Sequence, residues 1–487
     1  MPESDTRPNI ILMITDQQRF DTIRALGFEH MDTPNLDRLV AEGVSFTDCH
    51  VTAPSCAPSR ASLFTGQYPH ANGVFVNGDT WQSSWVEDLA VSGYHCVNIG
   101  KMHTGPLDTP LGFHERFIVE NKDRPRGSNP TRPYVEDEWD RALRARGLIK
   151  PGRQSYRERE DYESSLGAFE WELPEDAHPD FFVGDLAARW IEQHAKRSTE
   201  TGPLFLQIGF PGPHPPYDPI LRFAEPYLQR DLPLPTVTDA ELKQQPAPLR
   251  ALREEHARND HDACRHLLEP SPEQLHRQRA FYCANVTMID RKLGQILDAL
   301  ERHGYLDDAV VIFTSDHGDC LGDHGHSQKW TMYDVVTRVP LVVWSPQRFS
   351  GGRRIESLCQ LMDVGATILE LAQVENPEPM DALSLVPALT GARKRVRELV
   401  IAEQRGDNVL RGVGSMTMVR TERWKLVDFT DEPDGQLFDL RSDPFELRNR
   451  WHEAGLSGLK SRLRHALAEH LEQSLRLAPE FKKEWGG

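Results

Sequence analysis

The sequence predicts an α/β fold: a mainly parallel central sheet flanked by helices, then a smaller C-terminal α+β subdomain containing an antiparallel sheet. Three observations point there. Continuous apolar runs at Asn9–Thr15, Tyr94–Ile99, Pro203–Gly209, Asp308–Thr314 and Pro340–Trp344 read as strands covered on both faces. Amphipathic stretches lie between them, as crossovers between parallel strands require. Past Pro377 the apolar runs shorten and alternate with turn residues, the pattern of a small antiparallel sheet. The expected division is residues 1–376 and 377–487.

In chain order, the first run ends in Asp16-Gln17-Gln18, where the strand-end Asp is a turn residue or a ligand-facing group. Thr33-Pro34 opens a helix with Thr33 as N-cap and Leu36, Leu39 and Val40 inward, closed by Gly43. Ser59 is placed to cap a helix through Phe64, so Cys56 lies where backbone N–H groups favour an anion. A buried, unreactive cysteine is the alternative. Asn77-Gly78 reads as a turn. Trp85–Val91 reads as a short helix, and the second strand ends in Gly100-Lys101-Met102-His103. Residues 120–178 and 225–275 are polar, Pro- and charge-rich excursions: a lid, an oligomer contact or solvated loop. Between them, Phe182, Leu186 and Trp190 mark a helix over Pro179–His194. The third strand runs into Pro211–Pro216, a stiff loop holding His214. Ala284–His303 is an amphipathic helix. The fourth strand ends in Asp316-His317, with Lys329 shortly after. Gln360–Leu371 and Leu456–Leu475 are further helices, and Leu399–Ala402, Ser415–Val419, Trp424–Val427 and Gln436–Asp439 are the short C-terminal strands.

Composition narrows the function. The net charge of −18 excludes nucleic acid as the expected partner, because a phosphate backbone needs a basic face. Seven cysteines without a CxxC pair argue against a disulfide framework and for a reducing compartment. The N-terminus lacks a basic region followed by an apolar one, and no apolar run approaches ~18 residues. A cytoplasmic protein without a membrane span is therefore expected. Four strands each deliver polar groups to one sheet edge: Asp16, Lys101 with His103, His214, and Asp316 with His317. Asp16, Asp316 and His317 suit a divalent metal, while Arg60, Lys101, His103, His214 and Lys329 form a positive pocket in an acidic chain.

From Pro8 to about Asp443 the chain resembles the type I sulfatases of the alkaline phosphatase superfamily. The motifs occur in order: the strand ending in Asp16, Cys56-Ala-Pro-Ser-Arg60 with Thr65-Gly66, Gly100-Lys-Met-His103, His214 in its proline-rich loop, Thr314-Ser-Asp-His-Gly318, and Lys329. The run Leu437–Glu446 is similar to that family's C-terminal subdomain. The resemblance implies that a formylglycine-generating enzyme converts Cys56 to formylglycine. Its hydrate lies on one divalent metal held by Asp16, Gln17, Cys56, Asp316 and His317, and attacks the sulfur of a small sulfate ester. A covalent sulfo-enzyme intermediate then collapses with His103 as base. The same resemblance gives His214 and Lys329 the ester oxygens and the leaving group. Lys101 and Arg60 neutralise charge and fix the nucleophile, and Asn77 touches the substrate anion.

Two departures stand out. The chain has Asp16-Gln17 where many sulfatases have two consecutive Asp, and Asp316-His317 where many have Asp-Asn. Both look like the variants of choline sulfatases and phosphonate monoester hydrolases. Imidazole favours Mn²⁺ over Ca²⁺, which stays as the alternative. The expected activity is arylsulfatase-like hydrolysis of sulfate esters. Phosphonate monoester or phosphodiester hydrolysis at the same site is the second reading, and a non-catalytic metal- or anion-binding protein with unmodified Cys56 the third. Spacing argues against a cysteine-dependent phosphatase, since Arg60 follows Cys56 by four residues. The excursions and the tail Leu477–Gly487 suggest a homo-oligomer.

Overall fold

The computed structural model describes residues 7–120, 136–197, 202–375, 379–407, 409–410 and 414–477. The expected domain boundary at 376/377, the run 121–127 and the tail from 478 lie outside them. Nine strands form one sheet: Asn9–Asp16 (β1), Val44–His50 (β2), His95–Gly100 (β3), Glu115–Ile118 (β4), Leu204–Pro213 (β5), Ala309–Ser315 (β6), Arg338–Trp344 (β7), Arg353–Ile355 (β8) and Cys359–Gln360 (β9). Their order is β4-β3-β5-β1-β6-β7-β2-β8, with β9 also on β2. Every strand runs the same way except β7, which is antiparallel to both β6 and β2.

β1 sits between β5 and β6, with Met13 opposite Ile208 on one side and Phe313 on the other. Its side chains alternate between two cores, each buried aliphatic contributing about 1.5–3 kcal/mol. Ile10, Leu12 and Ile14 meet the helices Cys56–Thr65 and Asp363–Leu371. Ile11 and Met13 meet the helices Pro34–Glu42, Pro179–Arg197 and Pro272–Arg302. This two-sided burial is why the strands are continuously apolar.

Leu399–Arg405 (β10), Ser415–Thr421 (β11), Trp424–Phe429 (β12) and Gln436–Asp439 (β13) form a separate antiparallel meander. One face packs on the helix Ser457–Leu477 through Leu463 and Leu467. The other covers Trp330, Met332 and Tyr333 from the main domain. Lys425, buried there, is neutralised by Asp334 and by Glu446 at 2.6 Å.

Several expectations are corrected. β2 is absent from the sequence reading because Thr47 and Asp48 break its apolar pattern. They occupy a register shift between Phe46 and Cys49, which frees Asp48 for Arg420 at 3.0 Å. The helix expected over Ala284–His303 begins at Pro272, behind a Ser271–Gln274 capping box. Its first half is polar because it binds backbone: Gln278 donates to Leu166 O (2.9 Å) and Arg279 to Pro233 O (2.7 Å). Thr33 occupies an N-cap position, but Asp290 takes the N–H groups of Asn35 and Leu36. Ser59 does not start a helix; it lies inside one that begins at Cys56, and its hydroxyl donates to Asp316 O at 2.6 Å. Among the described residues the excursions carry the helices Glu138–Ala145, Arg153–Arg157, Asp239–Gln244 and Ala247–Arg258, and Leu221–Leu228 leads into the second. The two excursions meet in a small core of Tyr156, Tyr162 and Phe169 from the first and Ala263 from the second. All seven cysteines are free, in line with a spacing that argues against a disulfide framework, and all are buried. Among the described residues no helix is long and apolar enough to cross a membrane.

Candidate active site

The site lies beyond the carboxyl ends of the central strands. β1 ends in Asp16, β3 passes into Lys101, and β6 passes into Asp316 and His317. β3 and β5 approach so closely that only glycine fits at the crossing. Gly100 has φ +98°, and a Cβ there would lie 2.0 Å from Gly209 O. A Cβ on Gly209 would lie 1.9 Å from Lys101 O. This contact turns the Lys101 ammonium onto the Asp16 carboxylate.

Cys56 is the first residue of its helix. Asn77 Oδ1 accepts the Ala57 N–H at 2.9 Å and the Ser55 hydroxyl at 3.3 Å, so the amide oxygen of Asn77 caps the cysteine's helix. Cys56 Sγ lies 3.0 Å from His317 Nε2, and Lys329 Nζ donates to it at 3.1 Å. Asp16 Oδ1 is 3.6 Å away. His317 Nδ1 donates to Gly318 O at 2.9 Å, which fixes the tautomer and leaves the Nε2 lone pair facing the cysteine. Arg60, fully buried, binds Asp316 Oδ2 through Nε at 2.7 Å and Lys101 O through a terminal N–H at 3.1 Å.

Lys329, on the loop between β6 and β7, donates to three acceptors at 3.1 Å: Cys56 Sγ, Gln17 Oε1 and His214 Nε2. His214 Nδ1 donates to Pro215 O at 2.7 Å. Gln17, at φ +71°, sends its N–H₂ to Asp319 Oδ2 at 2.7 Å, and Tyr217 donates to the same oxygen at 2.7 Å. His103, at φ +61°, follows on the β3 loop with its backbone N–H on Glu120 Oε1 (3.1 Å). Asp16, Gln17, Cys56, Arg60, Lys101, His214, Asp316, His317 and Lys329 thus belong to one buried network, while Asn77 and His103 flank it.

Charge in this network is strongly coupled. Burial pushes Asp16 up, but Lys101, His214, Arg60 and Lys329 outweigh it and hold the carboxyl well below its usual range. Burial, then Lys329, pushes His214 down to about 3. Burial also lowers Lys329, yet the charges of Cys56, Asp262 and Asp16 raise it above the ordinary ammonium value. His317 is raised by Asp316 and Cys56 against its burial.

The donor set fits a divalent cation. One atom each from Asp16, Cys56, Asp316 and His317 lie within 4.8 Å of one another, all buried. Two carboxylates and an imidazole lone pair suit an oxygen-and-nitrogen cation such as Mn²⁺. Gln17 stands beside this group, with its amide oxygen on Lys329.

The sequence reading gave no role to Asp319, Asp262 or Trp330. Asp319 was visible as the last residue of Asp316-His-Gly-Asp319. Trp330 follows Lys329 directly and lies under its ammonium, whereas Asp262 carries no motif and only the packing of the second excursion brings it near His214.

Fold and site together define a hydrolase of the alkaline phosphatase superfamily. Within it, the chain belongs to the sulfatase family, whose model matches residues 8–374, and is a sulfuric ester hydrolase by class. A second family model, N-sulphoglucosamine sulphohydrolase, C-terminal, matches residues 322–473. The chain is 28% identical to an arylsulfatase of Clostridium perfringens over 96% of this chain and 95% of that protein. It is 29% identical to a choline-sulfatase of Rhizobium meliloti over 91% and 82% of the two chains. The phosphonate monoester hydrolase of Agrobacterium radiobacter superposes with a TM-score of 0.77 at 25% identity, covering 96% of each chain.

Proposed function

We propose that the chain hydrolyses small sulfate monoesters, with Cys56 matured to formylglycine by a separate enzyme and one divalent cation, Mn²⁺ before Ca²⁺, at Asp16, Gln17, Asp316 and His317. The observation that supports this most is the convergence of His317 Nε2 and Lys329 Nζ on Cys56 Sγ, at 3.0 and 3.1 Å, from opposite chemical roles. The hydrated aldehyde would supply two hydroxyls, one to attack sulfur and one to expel sulfate, and the cation would favour the ionised form of the first. The chain's own residues then do the rest. Arg60 holds Asp316 in place, and Lys101 holds Asp16, whose carboxyl is kept well below its usual range. Lys329 and Lys101 balance the charge of an ester anion. His214 and Lys329 face the leaving oxygen, and His103 stands by for the second step. A cytoplasmic homo-oligomer is the accompanying expectation.

Mass spectrometry of the Cys56 peptide tests the maturation: an aldehyde supports it, and a thiol in fully active protein refutes it. Comparing kcat/KM for an aryl sulfate and an aryl phosphonate tests the substrate. The Gln17 and His317 variants and the Agrobacterium likeness favour phosphonate monoesters as the second reading; Lys101-x-His103 favours sulfate.

A further inference from the structure

The loop at Asp260–Cys264 belongs to the second excursion, yet it delivers a carboxylate to the catalytic network. Asp262 Oδ2 lies 3.6 Å from His214 Nε2, and Asp262 Oδ1 pairs with Arg153 at 2.6 Å. The loop is built to hold that position. Asp262 and Ala263 both adopt positive φ, at +56° and +54°, in a turn closed by Cys264 N–H to His261 O (3.0 Å). Arg157 grips Asp260 with two hydrogen bonds at 2.8 Å, and Tyr162 donates to the same carboxylate. Ala263 is buried against Tyr156, Tyr162 and Phe169. Two left-handed residues without glycine cost energy, so surrounding contacts must hold the turn.

His214 needs such a neighbour. Its Nδ1 proton is committed to Pro215 O, so only Nε2 can hand a proton to a leaving group. In the free site Nε2 accepts from Lys329, whose charge resists protonation of the ring. The charged groups acting on His214 are Lys329 and Lys101, which oppose the imidazolium, and Asp16 and Asp262, which favour it. Asp16 is already engaged by Lys101. We propose that Asp262 is a positioning residue that holds His214 as an Nε2–H donor toward the leaving oxygen, so that the enzyme can expel poor leaving groups. This rests on the ester-hydrolase reading above. As the nucleophile at residue 56 forms its bond to sulfur, the bond from sulfur to the leaving oxygen breaks and its electron pair stays on that oxygen. The oxygen takes the Nε2 proton, His214 becomes neutral, and solvent restores the proton. Asp262 remains ionised throughout. Arg153, on the first excursion, keeps Asp262 from turning away, so both excursions contribute to one proton donor.

The test is a series of aryl sulfates, from nitrophenyl to unsubstituted phenyl, with the mature metal-loaded enzyme. Turnover by wild type decides the ester-hydrolase reading by itself; if only phosphonates turn over, the same series is run with aryl phosphonates. The dependence on leaving group decides the role of Asp262. In Asp262→Asn, kcat/KM for the nitrophenyl ester is expected to fall by about 3-fold and for the phenyl ester by roughly 100-fold, the scale of lost general-acid assistance. Asp262→Glu should recover much of that difference. Asp260→Asn loosens the same loop without touching His214 and should lower all esters equally. An Asp262→Asn profile parallel to wild type, or to Asp260→Asn, overturns the assignment.

Discussion

The two halves of the site are built differently. Asp16, Lys101, Asp316 and His317 hang from strand ends whose backbones are locked on both sides, and the Arg60 side chain that ties them is 0% exposed. Asp262 arrives on a loop and Arg153 on a short helix, both held by peripheral ion pairs, and the Arg153 side chain is 35% exposed. Ion pairs in water contribute little, whereas breaking one inside leaves an uncompensated charge. The strand-borne half should therefore be all-or-none, and the loop-borne half adjustable.

The largest expected effect tests the first statement. Cys56→Ala should lower kcat by at least about 10⁴-fold with the unfolding midpoint little changed; substantial activity would sink the nucleophile assignment. Next, Arg60→Met should destabilise by about 3–5 kcal/mol in urea titration, because Asp316 is left buried without its partner. A loss below about 1 kcal/mol would erase the contrast.

A pH test probes the scaffold beneath the strand-borne half. Asp290 caps the helix Pro34–Glu42 from the long helix Pro272–Arg302, and burial pushes its carboxyl up to about 6. With the folded pKa above the unfolded one, its contribution is full below about pH 4 and is lost as pH rises through about 6. Asp290→Asn removes that titration, so between pH 4 and 8 it should gain on wild type by up to about 3 kcal/mol. Equal differences at both pH values would refute this. The smallest effect belongs to the loops: Tyr162→Phe removes one bond to Asp260 and should cost about 1 kcal/mol, with kcat/KM within about 3-fold. A collapse of activity there would show that the loop half is as brittle as the strand half.

The same contrast governs what was legible in the sequence. The strand ends were, because two-sided burial makes β1, β3, β5 and β6 continuously apolar and each run stops where a polar group begins. Cys56 was, through the resemblance of Cys56-Ala-Pro-Ser-Arg60 to the sulfatase signature; its place near a helix start alone left a buried, unreactive cysteine equally open. β2 was not, since Asp48 sits in a bulge to meet Arg420. Nor was the first half of the helix Pro272–Arg302, whose polar face serves the excursions. Asp262 was invisible because its neighbour His214 lies 48 positions away and only long-range packing joins them.

Burial of the cysteine's own segment has a consequence for biogenesis. Every residue from Cys56 to Phe64 is enclosed once the sheet has closed over it. The maturation enzyme proposed above would have to reach the thiol and its neighbours, which the folded protein keeps enclosed. On the maturation proposed for Cys56, conversion would compete with folding, and the active fraction would be set during synthesis. Supplying the maturation enzyme to protein already folded should leave that fraction unchanged, whereas supplying it during translation should raise it.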